Sequence, residues 1–337
     1  MLIRVALSLL HDTMNLMIDL FNTHINGRYL FKDNILYLYN GGSSLSFKMN
    51  GDAFAIYLEH IPSPGYFYII IDRDYENKIK VLNESGVYQY KFKEKSIHYI
   101  DIIKANEAND NALAIKDIIV NGELYRYDHV YYKKVKVYGD STVAGFGILG
   151  HNEFASIYTS DSVQDFVYHA LYELDMEMDI FSASGWGLTF SSYTDPKNIG
   201  IIDFVDKVKV NSNVDNQDVL KEDILIISLG CNDNSYIQED KNLRDTRINY
   251  FIRQYQTLID YELRNNKDLK ILMVYGTLKE ENAYYLYEET YEYLKPLYKN
   301  LYIHRFNGDN TAISNHAYVT AHKRMSEELK AVIKEII

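Results

Sequence analysis

The stretch that decides the fold is Lys134-Val-Lys-Val-Tyr-Gly139-Asp140-Ser141-Thr-Val-Ala-Gly145-Phe-Gly147. An alternating, β-rich run stops at Gly139, and Asp140 and Ser141 follow at a turn rich in small residues. A serine there, at the carboxyl end of a buried strand, stands where open α/β sheets place reactive groups. Ser141 is therefore the candidate nucleophile. Downstream, strand patterns alternate with helical ones. Asp161–Glu173 predicts an amphipathic helix, MDIFSAS a strand and Ile202–Val208 a short helix. ILIISL, apolar throughout, predicts a parallel strand covered on both faces. A helix over 243–263, a strand at ILMVYG, a helix over 281–297, a strand at LYIHRF and a helix over 318–337 complete a βα-repeating α/β domain, 131–337.

Upstream, residues 25–130 hold a different pattern. Short β-branched and aromatic runs (INGRYLF, NILYLYN, SSLSFKM, DAFAIYLE, GYFYIIID, NKIKVL, GVYQYKF, SIHYIDIIK) are separated by turn formers such as Asn40-Gly41-Gly42 and Asn50-Gly51. ALAIKDIIVNGELY adds one or two closing strands with Asn121-Gly122 as a turn. This spacing predicts an all-β sandwich or barrel, so residues 1–130 form a separate β domain. At its start, Leu9, Leu10, Met14, Met17, Ile18 and Phe21 recur at helical spacing and predict a short leading helix. His11 and Asp12 interrupt the apolar run and no small-residue cleavage site follows, so the reading favours a packing helix over a signal peptide, and cytoplasm over secretion.

Composition bounds function. The 337 residues carry a net charge of −12, which argues against a general nucleic-acid binder. No run is long enough to span a membrane. The single cysteine, Cys231, rules out an internal disulfide and a cysteine-based zinc site. The histidines show no ligand spacing, so no metal or other cofactor is expected.

Each βα turn of the second domain carries chemistry-bearing residues: Gly139-Asp140-Ser141, then Ser182-Ala-Ser-Gly185-Trp186-Gly187, Gly230-Cys231-Asn232-Asp233, and Asn315-His316 before the last helix. All belong at the carboxyl edge of the sheet. A serine hydroxyl needs a base, which His316 would supply. The oxyanion needs donors, which the Ser141 and Gly185 N–H groups and the Asn232 amide would supply. His322 competes with His316 but falls on the apolar stripe of the last helix, where it reads as a packing residue. Asp140 and Asp233 read as turn-holding groups, Cys231 as a buried filler, and Trp186 as either core or a flat face for a sugar ring.

This ordered set resembles the four blocks of the SGNH (GDSL-type) hydrolases. The β-rich first domain resembles the jelly-roll that precedes such a domain in carbohydrate esterase family 2, most clearly from Ser96-Ile97-His98 through Lys104 and Glu107. The resemblance implies a three-layer α/β/α, flavodoxin-like catalytic domain. It also implies O-deacetylation of sugars, such as acetylated xylan or mannan, with a preference for primary 6-O-acetyl groups. One departure matters. The superfamily places an aspartate three residues before the histidine and often a proline after it, where this chain has Ile313 and Ala317. Some members of the resembled family work with a Ser–His dyad in which a backbone carbonyl accepts the Nδ1–H. Asp309 is the nearest acidic candidate for orienting the imidazole. The rival readings are a lipid or thioester hydrolase on the same scaffold, an acyltransferase, and a carbohydrate-binding protein whose catalytic site has decayed.

Overall fold

The computed structural model describes residues 2–5, 19–61, 65–151, 154–194, 196–217 and 221–337, with the backbone alone at 2–5. The expected leading helix falls mostly on 6–18, outside the described residues.

The first domain is built from β1 (Leu2–Val5), β2 (Thr23–Asn26), β3 (Tyr29–Lys32), β4 (Ile35–Leu38), β5 (Ser44–Leu58), β6 (Tyr66–Ile71), β7 (Ile79–Leu82), β8 (Gly86–Lys104) and β9 (Leu113–Tyr125). They form one antiparallel nine-stranded sheet in the order β3-β4-β9-β5-β8-β6-β7, with β1 added to β8 and β2 to β5. Runs expected as separate strands are continuous. SSLSFKM and DAFAIYLE are one strand, β5, and GVYQYKF and SIHYIDIIK are one strand, β8. The Asn50-Gly51 and Asn121-Gly122 pairs are not turns. Gly51 pairs with Gly122 on one side and Ser96 on the other, and the register shifts between Gly51 and Ala53. Gly122 has φ +146°, and a Cβ there would lie 2.2 Å from the Asn50 carbonyl oxygen. The glycines thus mark a register irregularity inside paired strands, and at Gly122 only glycine tolerates both the backbone and the approach.

The second domain comprises β10 (Lys134–Gly139), α1 (Phe166–Glu173), β11 (Glu177–Ser182), β12 (Ile224–Ser228), α2 (Cys231–Gln238), α3 (Arg244–Leu263), β13 (Lys270–Tyr275), α4 (Glu281–Leu294), β14 (Leu301–Arg305) and α5 (Val319–Ile336). The sheet is parallel, in the order β11-β10-β12-β13-β14. Alternate residues serve opposite faces. Val135, Val137, Ile224 and Ile226 pack with Phe166 and Leu171 of α1 and Met325 and Leu329 of α5. Tyr138, Leu225 and Ile227 pack with Phe251 and Leu258 of α3 and Leu286 of α4. The strand order is 2-1-3-4-5, so the direction of winding switches between β10 and β12, where such sheets open a crevice at their carboxyl ends. α2 was absent from the sequence reading; its apolar pattern is weak, and it starts directly after Gly230 (φ +148°).

The antiparallel and parallel sheets share a core. Tyr68, Ile70 and Ile103 of the first join the cluster around α1. Arg28, in the β2–β3 turn, reaches into the parallel sheet: its Nε donates to Asp179 at 3.1 Å, its Nη1 to the Lys207 carbonyl at 2.7 Å, and its guanidinium lies 3.8 Å from the Phe181 ring centre.

Candidate active site

β10 delivers Ser141 to the crevice. Asp140, buried, accepts from the Thr142 N–H (3.0 Å) and hydroxyl (2.9 Å), which fixes the turn that presents the serine. Burial pushes the Asp140 carboxyl up to about 6 against those two bonds.

The His316 Nε2 lies 2.7 Å from Ser141 Oγ. On its other side, Nδ1 lies 3.1 Å from both the Ile313 and the Ser314 carbonyl oxygens. Carbonyls only accept, so Nδ1 carries the proton and Nε2 is left to accept from the serine hydroxyl. The loop achieves this by placing Ser314 (φ 52°) and Asn315 (φ 59°) in the left-handed region, which turns two successive carbonyls toward the ring. Burial lowers the His316 pKa below its ordinary value, and the two carbonyls offset part of that. Asp309 is not at the ring. Its Oδ1 accepts from the Thr311 N–H and hydroxyl and from the Tyr318 N–H (3.2, 3.0 and 3.1 Å), so it braces the loop at the start of α5. Of the two orienting groups considered from the sequence, Asp309 is corrected: the ring's partners are backbone carbonyls, as in the Ser–His dyad reading.

Asn232, at the start of α2, donates from Nδ2 to the Trp186 carbonyl at 3.1 Å, which ties α2 to the turn after β11. Asp233 strengthens that tie, accepting from the Leu188 and Thr189 N–H groups at 2.8 Å each. Within the turn, the Ala183 N–H donates to Gly139, the Ser184 N–H to Glu107 and the Trp186 N–H to Ala183, while the Gly185 carbonyl accepts from Ser192. Among the described residues, no acceptor meets the N–H of Gly185 (φ +75°) or of Ser141.

Of the two readings of Trp186, the structure places it in the core, and its reading as a sugar contact is corrected. Its side chain is 1 % exposed and packs edge-on against Phe204. The exposed aromatic beside the site is Tyr193, 68 % exposed, whose ring lies over Gly185: a Cβ on that glycine would meet Tyr193 Cε2 at 2.5 Å. The sequence reading missed it because exposure is not encoded in residue type, and tyrosine is too common here (32 residues) to stand out.

His322 is buried, and its Nδ1 accepts from the Phe166 N–H at 3.2 Å. Burial, with His316 nearby, pushes it down to about 3. The Cys231 thiol, 3.3 Å from the Tyr287 hydroxyl, is pushed well above its ordinary range by burial and by Asp140, which leaves it protonated and inert.

A hydrogen-bonded Ser–His–Asp array lies apart from this site, on the antiparallel sheet. His98 joins Ser96 Oγ and Asp72 Oδ2 at 2.8 Å each. Both outer residues are exposed to bulk water, and the ring stacks on Phe92 at 3.6 Å. It ties the end of β6 to β8. Among the described residues, no group of three or more His, Cys, Asp or Glu is placed to hold a metal, and no helix is long and apolar enough to cross a membrane.

The fold, an antiparallel sheet followed by a parallel sheet with helices, is shared with solved family 2 carbohydrate esterases. No family sequence model and no curated protein sequence matches the chain. Solved structures do. The family 2 carbohydrate esterase from Cellvibrio japonicus superposes with a TM-score of 0.80 at 20% identity, over 94% of this chain and 95% of that one. The Clostridium thermocellum family 2 carbohydrate esterase in complex with cellohexaose gives 0.80 at 21% identity, over 93% and 98%. The acetyl xylan esterase of the rumen bacterium Butyrivibrio proteoclasticus gives 0.80 at 15% identity, over 94% and 96%.

Proposed function

We propose that this protein is a serine esterase that removes O-acetyl groups from carbohydrate through an acetyl-enzyme at Ser141. The observation that carries this reading is the pair of bonds on His316: Nε2 to Ser141 Oγ at 2.7 Å, with Nδ1 held between two carbonyls. Ser141 Oγ attacks the acetyl carbonyl while its proton passes to Nε2. The imidazolium is steadied by the Ile313 and Ser314 carbonyls. The Ser141 and Gly185 N–H groups and the second N–H of the Asn232 amide receive the oxyanion. The Nε2 proton then leaves with the sugar alkoxide. Water attacks the acetyl-enzyme by the same route, releasing acetate and restoring the serine. Because burial lowers the His316 pKa, the imidazole is neutral, hence basic, at pH 7.

Carbohydrate as substrate is supported by the fold shared with carbohydrate esterases, one of them solved with cellohexaose, and acetyl as the acyl group removed by the fold shared with an acetyl xylan esterase. The preference for primary 6-O-acetyl groups, and the first domain as a jelly-roll, belong to the same reading. The exposed ring of Tyr193 gives a sugar an apolar surface beside Gly185. Replacing Ser141 with Ala tests the nucleophile. Hydrolysis of an aryl acetate and acetate release from acetylated xylan should both vanish. A variant that retains a tenth of wild-type turnover refutes the assignment.

A further inference from the structure

The turn that presents the Gly185 N–H is held by a residue from the other domain. Glu107 lies in the loop between β8 and β9, and its Oε2 accepts from the Ser184 N–H at 2.7 Å. The loop is itself firmly placed. The Ala105 carbonyl accepts from the Ser162 N–H at 2.8 Å, the Asn106 amide donates to the Ile157 carbonyl at 3.1 Å, and the Asn106 Oδ1 accepts from the Tyr66 N–H at 2.6 Å. Fully buried Lys104 donates to the Asn106 and Glu107 carbonyls. Glu107 is buried too, so its position is set by packing on all sides.

Ser184 immediately precedes Gly185. Orienting the Ser184 N–H fixes the peptide plane before it, and with that the entry to a glycine whose φ of +75° has no side-chain preference to hold it. We propose that Glu107 is a positioning residue for the oxyanion site, and that its contribution is a correctly placed acceptor oxygen, not a negative charge. A charge would be counterproductive beside a developing oxyanion. Burial and neighbouring Asp110 push the Glu107 carboxyl up to about 7, so the group is neutral for part of the neutral range and still offers an oxygen to Ser184. The first domain is, on this account, part of the catalytic apparatus.

The inference rests on the esterase reading, and three variants separate the two. Glu107→Gln keeps the reach and the acceptor but loses the charge. Glu107→Asp keeps the charge but withdraws it by one methylene. Glu107→Ala loses both. Misplacing a reacting group by about 1 Å costs up to about 100-fold. Glu107→Asp and Glu107→Ala should therefore lose about 10- to 100-fold in kcat on an aryl acetate, with KM within about threefold of wild type. Inactivation by an aryl phosphonate, whose tetrahedral adduct uses the same donors, should slow in parallel. Glu107→Gln should stay within about threefold of wild type in both. Thermal unfolding of every variant reports whether it folds, and Glu107→Asp serves if Glu107→Ala does not. Full activity in Glu107→Asp, or a loss in Glu107→Gln as deep as in Glu107→Asp, overturns the proposal. If instead the wild-type protein releases no acetate from an aryl acetate or from acetylated xylan, the esterase reading itself fails, whatever the Glu107 variants do.

Discussion

Asn232 offers two N–H groups and one is taken by the Trp186 carbonyl at 3.1 Å, which leaves one to meet an oxyanion. Asn232→Ala removes both. Losing an oxyanion donor costs about 100- to 1000-fold in turnover, or about 3–4 kcal/mol of transition-state stabilisation. Losing the bond to a partly buried carbonyl costs about 1 kcal/mol of stability. For a domain of this size that lowers Tm by about 2–4 °C. The two effects are far enough apart to read separately: kcat and KM on an aryl acetate, with calorimetry on the same preparations. The expected outcome is a collapse of kcat, a KM within about threefold and a small drop in Tm. Asn232→Asp sharpens the test, since an ionised carboxylate has no N–H and turns an acceptor toward both the Trp186 carbonyl and the oxyanion. It should be at least as inactive as the alanine variant, and less stable. A kcat within threefold of wild type in Asn232→Ala, alongside the Tm drop, would refute the oxyanion role and leave only the tie to Trp186.

Two further outcomes follow from buried charge. His322, held down to about 3, refuses in the folded state a proton that the unfolded chain accepts at about 6.5. Its contribution to stability is therefore complete above pH 6.5 and is lost as pH falls toward 3; urea unfolding at pH 7 and 4.5 should show a decline that His322→Asn reduces by about 2–3 kcal/mol, since the asparagine does not titrate. Arg28→Ala leaves Asp179 buried without its cation, so unfolding free energy should fall by about 3–5 kcal/mol, and a loss under 1 kcal/mol would show that the clamp does not join the domains.

Much of this architecture was legible because its requirements are local. The α/β domain announces itself in apolar strands followed by turns, and four of those turns carry the residues that the structure gathers at one sheet edge. Gly139 pairs with Ser182 and with Ser228, so the ends of β11, β10 and β12 lie side by side, and Ser141 and His316, 175 positions apart, meet there. What was not legible depends on relations that residue type does not encode. Asn-Gly signals a backbone freedom that serves an irregularity inside a strand as well as a reversal between strands, hence the misread turns at Asn50-Gly51 and Asn121-Gly122. Trp186 and Tyr193 are equally suitable for sugar stacking by composition, and only packing decides that the first is core and the second exposed. That a backbone carbonyl could serve the His316 Nδ1 was suggested by the absent aspartate, but which carbonyls do so depends on two left-handed residues that residue type does not announce. Glu107 meets Ser184 from the loop between β8 and β9, 77 positions away in the chain.

The position at which an orienting aspartate was expected shows why the acid is not simply missing. Ile313 is buried, and its side chain faces the turn after Ser141: a Cβ on Gly147 would come within 2.9 Å of Ile313 Cβ. Its carbonyl, not its side chain, serves Nδ1. Ile313→Asp would thus direct a carboxylate at packed backbone, while the acceptor already at Nδ1 stays in place. A buried polar group without partners costs about 2–4 kcal/mol, so the variant should melt lower and gain no turnover. The pH profile discriminates further. Wild-type kcat/KM should rise with pH through a limb below 6.5, because burial lowers the His316 pKa and the neutral imidazole is the base. A carboxylate that reached Nδ1 would stabilise the imidazolium and move that limb upward; one facing Gly147 would leave it where it is. A limb displaced upward by a full unit, with turnover raised, would mean that the loop can still accept the aspartate and that the two carbonyls are a substitute for it. An unmoved limb in a destabilised protein would mean that the loop around Ser314 and Asn315 has been rebuilt around carbonyl orientation, with Ile313 now committed to packing the turn that carries the nucleophile.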